Sequence, residues 1–101
     1  MIVNGHTLVL DTSVRVGDDQ PHTARTANSV WNCSVVLLKY FEKYMSHCAP
    51  PSSVLELGAG TGVLGIGAAC CLPPSAAVYL TDIAMAMPAL EVDINILVLV
   101  S

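Results

Sequence analysis

The chain has 101 residues, Lys+Arg 4 against Asp+Glu 8, a formal net charge of -4 and a mean hydropathy of +0.63. Hydrophobic residues at 53% exclude disorder, and charged residues at 12% are about half the share usual in soluble domains. Four basic residues cannot build the positive footprint of a nucleic-acid binder, and the length allows one small domain at most.

In chain order, Ile2-Val3 and Thr7-Leu8-Val9-Leu10 flank Asn4-Gly5, a pair suited to a tight hairpin turn. Asn4, Gly5 and His6 also interrupt the first apolar run, and no basic residue precedes it, so no secretory signal is expected. Ser13-Val14-Arg15-Val16 predicts a further short strand, and residues 17–27 are polar and loop-like. A helix is predicted from about Asn28 to Tyr44 or His47. Val30, Leu37, Phe41 and Tyr44 lie on one stripe, Trp31, Val35, Leu38 and Met45 lie beside it, and Lys39, Glu42 and Lys43 lie opposite. Asn28 or Ser29 stands where a cap is needed, and Pro50-Pro51 prevents continuation. Tyr40, Phe41 and Tyr44 read as packing residues.

Ser53-Val54-Leu55-Glu56-Leu57 is an apolar run closed by glycines and reads as a buried strand. Residues 61–72 predict a buried helix stopped by Pro73-Pro74, and residues 76–81 a second strand ending at Asp82. Pro88 fits the first turn of another helix, with Leu90, Ile94 and Leu97 spaced to face a core. Periodicity leaves open whether residues 96–100 extend that helix or begin a strand.

Beyond Lys43 there is no Lys or Arg, and Glu56, Asp82, Glu91 and Asp93 are the only acids. Such a stretch reads as the interior of something larger or as a membrane segment. Residues 54–72, with Gly58-x-x-x-Gly62, are the best spanning candidate. Glu56 inside the span, its glycines and the lack of basic flanks argue against it, and no membrane association is expected. Cys33, Cys48, Cys70 and Cys71 form no C-x-x-C pair, which favours free thiols in a reducing cytoplasmic or nuclear compartment. His6, His22 and His47 share no ligand spacing, and no metal site is expected.

Strand, glycine loop, helix and strand make a βαβ unit of an α/β sheet, whose ligands sit at the carboxyl ends of the strands. Both the loop Glu56-Leu57-Gly58-Ala59-Gly60-Thr61-Gly62 and Asp82 fall at that edge. Glycines permit positive φ and close approach of a ligand, and the next helix N-terminus offers free N–H groups. A carboxylate at the tip of the second strand can accept both hydroxyl protons of a ribose, which implies a nucleoside-containing ligand. Plainer roles stand beside these: Trp31 as a core residue, Asp82 as a helix cap, Glu56 as a cap for loop N–H groups.

Two ligand classes fit. Gly60-x-Gly62-x-x-Gly65 with Asp82 satisfies the dinucleotide fingerprint. Glu-x-Gly-x-Gly-x-Gly from Glu56 is the other pattern. It is preferred because it gives Glu56 a task beside the loop or the ligand's positive methionine portion. It also leaves no pyrophosphate to bind on a loop without a basic residue.

Val54-Leu55-Glu56-Leu57-Gly58-Ala59-Gly60-Thr61-Gly62-Val63-Leu64-Gly65 resembles motif I of the seven-β-strand S-adenosylmethionine-dependent methyltransferases. More narrowly, Val30-Trp31, Val36-Leu37, Lys39-Tyr40-Phe41-Glu42, Leu80-Thr81-Asp82 and Met87-Pro88-Ala89-Leu90-Glu91 resemble the non-histone protein-lysine methyltransferases, over roughly residues 24–95. The resemblance implies an α/β, truncated Rossmann-like fold. Residues 1–27 would form a hairpin and loop, and residues 28–101 a partial S-adenosylmethionine-binding domain. It implies that Trp31 borders the cofactor pocket, that Gly58, Ala59 and Gly60 line it, that Asp82 holds the ribose hydroxyls and that Glu56 supports the loop. The partner would be a protein substrate presenting a lysine amine, methylated by in-line attack in which positioning and desolvation dominate.

The chain departs from the family pattern at Asn32, where an acidic residue usually follows the tryptophan, and the Asp-x-x-Tyr motif of the acceptor site does not occur. A complete seven-stranded domain needs roughly twice this length. A fragment lacking the acceptor site is therefore expected, with no catalytic residue assigned. The alternatives are a nicotinamide-dependent oxidoreductase fragment and a non-enzymatic interaction or membrane-associated protein.

Overall fold

Asn4 and Gly5 both adopt positive φ, 47° and 81°, and turn the chain between β1 (Ile2–Val3) and β2 (His6–Thr7). The strands pair antiparallel with Ile2 opposite Thr7, as the Asn-Gly pair predicts. The computed structural model describes residues 1–9 and 15–100. The hairpin is anchored at its turn: the Asn4 backbone N–H donates to Glu42 Oε2 at 2.7 Å and its side-chain amide donates to the Cys70 carbonyl at 2.8 Å.

Of the strand expected at 13–16, Ser13 and Val14 lie outside the described residues, and Arg15 and Val16 have no strand partner. Val16 is instead buried and clamped by Asn28. The Asn28 side-chain oxygen accepts from the Val16 N–H at 2.8 Å, and its amide donates to the Val16 carbonyl at 2.9 Å. Asn28 is thus a tertiary clamp rather than a helix cap, a correction to the sequence reading.

Residues 17–27 are more ordered than the polar composition predicts. Pro21 starts α1 (His22–Arg25), its carbonyl accepting from the Ala24 and Arg25 N–H groups, and a 3-10 turn at Thr26–Asn28 follows. The long helix α2 (Asn32–Tyr44) begins four residues later than expected, with Trp31 at its cap position and no side-chain cap. Its buried stripe centres on Leu38, and Leu37 and Tyr44 of the other predicted stripe are exposed. Tyr40 and Tyr44 stack on each other in solvent with ring centroids 4.7 Å apart, not in a core.

Beyond the diproline, β3 (Ser53–Glu56) and β4 (Ala77–Leu80) pair in parallel, Ser53 opposite Ala77 and Glu56 opposite Leu80. They are joined through α3 (Val63–Cys71), the predicted βαβ order. The candidate membrane span is therefore broken into strand, loop and a nine-residue helix, and no helix among the described residues is long and apolar enough to cross a membrane. Helix α4 (Met87–Val100) continues through residues 96–100, which settles the open alternative in favour of helix.

The core lies between the hairpin, α2, α3 and α4. Val3, Leu8, Leu38, Val63 and Ile66 form its centre, with Leu64, Leu80 and Ile94 packed against it. Leu90 of α4 is fully buried, worth about 1.5–3 kcal/mol of apolar transfer free energy. Gly67 lets α2 and α3 approach, since a Cβ there would stand 2.5 Å from Leu38.

The expectation of a buried β3 is half right. Glu56 and Val54 are partly covered, but the register partners Leu55 and Tyr79 are 62% and 58% exposed. Parallel sheets are normally covered on both faces, and this one is covered on one.

Candidate functional site

The parallel ladder extends past the ends of β3 and β4. The Thr81 N–H and hydroxyl both donate to the Glu56 carbonyl, at 3.0 and 2.8 Å, and the Ala59 N–H donates to the Thr81 carbonyl at 2.8 Å. These bonds hold the glycine loop along the tip of β4. Gly58, Gly60 and Gly62 all take positive φ, 67°, 57° and 85°. At Gly60 a second constraint applies: a Cβ would stand 3.2 Å from the Ala27 carbonyl oxygen, so any larger residue pushes the loop off the 3-10 turn.

Two carboxylates flank the loop. Asp82 Oδ2 accepts from the Gly60 N–H at 2.6 Å, and Oδ1 accepts from the Ile83 N–H at 2.7 Å. The first bond tethers the loop, a role the sequence did not suggest; the second goes to the adjacent residue at the start of the turn that leads to α4, where no side-chain helix cap forms. A carboxylate has about four acceptor sites, which leaves capacity on each oxygen for a further donor.

Glu56 Oε1 accepts from the Gly65 N–H at 3.0 Å. Gly65 is the third residue of α3, so Glu56 caps that helix from the neighbouring strand. Its support therefore reaches the helix start behind the loop. This task exists whatever the loop binds, so Glu56 alone does not separate the two ligand classes.

Burial raises the Glu56 carboxyl above its ordinary value of 4.5; the Gly65 hydrogen bond opposes the shift and the Asp82 charge adds to it. A raised folded-state value means the folded chain binds this proton more tightly than the unfolded chain. The resulting stability is fully present below the unfolded value and is lost as pH rises through the folded one. Glu56→Gln, whose amide oxygen can still accept from Gly65, is therefore expected to flatten the melting profile over the range just above pH 4.5. Thermal melts of both proteins across that range check this; parallel profiles would show that Glu56 is not the titrating group.

A cavity of about 450 Å³ opens over the loop, and all six residues singled out from sequence line it: Trp31, Glu56, Gly58, Ala59, Gly60 and Asp82. Trp31 is 54% exposed and is a wall residue rather than core, its indole N–H held by the Thr26 carbonyl at 3.1 Å. A Cβ at Gly58 would meet no protein atom within 4 Å. Thr26, Ala27 and Ser29 also line the cavity, and sequence reasoning gave none of them a place at the site. They sit in the segment read as loop and early helix, where Pro21, which starts α1, is the local signal that could have indicated order. The described lining residues include two carboxylates and no Lys, Arg or His.

Comparisons with known proteins give the chain's family. A family model described as lysine methyltransferase matches residues 11–99. The protein N-lysine methyltransferase METTL21A of Xenopus tropicalis is 43% identical over 66 residues, which are 65% of this chain and 29% of that protein. The chain thus spans less than a third of that relative's length. No solved structure matches.

Proposed function

The chain belongs to the lysine methyltransferase family, and from that premise we propose that its glycine-loop cavity binds S-adenosylmethionine for methylation of a protein lysine. The observation that carries the reading is the charge of the cavity. Glu56 and Asp82 line it and no basic side chain does, which suits a ligand with a sulfonium and an ammonium group. A dinucleotide would bring a pyrophosphate to a wall with nothing positive except backbone N–H groups.

In this reading Asp82 holds the ribose hydroxyls on its remaining acceptor sites, Gly58, Ala59 and Gly60 form the floor, and Trp31 closes one side. Glu56 supports α3 and lends negative charge toward the ligand's methionine end. When bound, the cofactor supplies a methyl carbon made electrophilic by a positive sulfur. The two carboxylates also favour approach of a cationic lysine side chain. The bare Leu55–Tyr79 face supports the finer reading of β3 and β4 as part of a larger Rossmann-like sheet. The four free thiols support a reducing compartment, cytoplasmic or nuclear.

Calorimetry with S-adenosylhomocysteine and with NAD tests the proposal. Saturable binding of S-adenosylhomocysteine and none of NAD is expected; saturable binding of NAD alone overturns it.

A further inference from the structure

A second cavity, of about 560 Å³, adjoins the first and shares Thr26, Ser29 and Trp31 with it. Its chemistry is opposite. Arg15 and Arg25, the only arginines in the chain, both line it, together with His22 and one carboxylate, Asp18. We propose that this basic cavity receives an acidic side chain of the protein substrate, from a residue near the lysine presented to the glycine-loop cavity. The proposal rests on the methyl-transfer reading above and adds to it a class of substrate: lysines with a glutamate or aspartate close by in the chain.

Arg25 carries the argument. Its Nε donates to the Gln20 carbonyl at 3.0 Å, which fixes the guanidinium plane, while its terminal nitrogens have no partner among the described residues. A fixed guanidinium with both terminal nitrogens free matches a carboxylate in bidentate fashion, which a lysine cannot do. Arg15 pairs with Asp18 at 2.9 Å, with side chains 53% and 78% exposed. Such a pair is weak and exchanges readily for a better carboxylate. The floor is rigid, because Asn28 clamps the Val16 backbone from both sides. Trp31, tied to Thr26, divides the two cavities.

The two charges side by side set a direction. An acidic residue is repelled by Glu56 and Asp82 and attracted by Arg15 and Arg25, and a lysine ammonium has the reverse preference. A peptide with both is thereby held in one register across the dividing tryptophan.

The test uses the full chain and its only tryptophan. Trp31 lines both cavities, so its emission reports occupancy of either. A lysine peptide with glutamates within three residues of the lysine is titrated at low salt, alongside the same peptide with glutamines. The glutamate peptide is expected to bind about tenfold more tightly, from charge-assisted hydrogen bonding. Arg25→Gln and, independently, Arg15→Gln should shrink that preference, and Arg25→Lys should retain part of it. Affinity for S-adenosylhomocysteine should stay unchanged in all three. An unchanged glutamate preference in both glutamine variants overturns the proposal. So does a loss of S-adenosylhomocysteine affinity in them, which would assign the arginines to the cofactor's own carboxylate. Failure of the unsubstituted chain to bind S-adenosylhomocysteine is the separate result that overturns the cofactor reading.

Discussion

Replacing Asp82 with alanine is expected to lower affinity for S-adenosylhomocysteine about a hundredfold. Two ribose hydroxyls donating to a carboxylate contribute about 1.5–3 kcal/mol each, and each 1.4 kcal/mol is a factor of ten in affinity. Alanine removes both acceptors and also strips the Gly60 N–H of its 2.6 Å partner, so the loop loses its tether. Asparagine is a sharper probe. Both Asp82 oxygens accept from backbone N–H groups, Gly60 on one and Ile83 on the other. An amide can satisfy one of them only and turns its NH₂ against the other, so Asp82→Asn should lose nearly as much as alanine. Calorimetry with S-adenosylhomocysteine, paired with a thermal melt, reads both effects. An unchanged affinity with a lowered melting midpoint would assign Asp82 to loop structure alone.

The centre of the fold was legible because its signals are local. Pro50-Pro51, the loop glycines and Pro73-Pro74 punctuate short apolar runs, and β3, α3 and β4 fall within two residues of where that punctuation puts them. The site was legible for the same reason, since loop and strand tip are adjacent by topology once β3 and β4 pair in parallel. What stayed hidden depends on partners distant in the chain. Asn28 looked like a helix cap because its clamp on Val16 exists only after the chain has folded back. Glu56 looked like a loop or ligand residue because its partner, Gly65, comes within reach only when α3 packs on β3. The convergence of Arg15 and Arg25 on one cavity is of this kind too. The charge-poor second half already implied apolar surface needing cover from elsewhere, but that it falls on Leu55 and Tyr79 was hidden, because apolar character predicts burial without saying what supplies the cover.

Valine at Gly65 is expected to destabilise the chain by about 3 kcal/mol or more, which leaves little of a small domain's margin. Helix propensity alone predicts the opposite, since glycine inside a helix is about 1 kcal/mol worse than alanine. Sterics reverse the sign. A Cβ at Gly65 would overlap the Leu80 side chain and stand 2.8 Å from Glu56 Oε1, so β4 and the capping carboxylate must both give way. Over-packing of this kind typically costs about 1–3 kcal/mol, and loss of the Glu56 hydrogen bond with its acceptor half-buried adds about 1–3 kcal/mol more. Gly65→Ala already places the colliding atom, so it should destabilise as well, by less. Gly58 provides the contrast: its Cβ direction is open, and Gly58→Ala carries only the strain of a positive φ, about 1 kcal/mol. Urea denaturation of the three variants should therefore rank the alanine at 58 as mildest and the valine at 65 as most severe. A Gly65→Ala protein more stable than the parent would show that helix propensity, not the contact between α3, Leu80 and Glu56, governs this position.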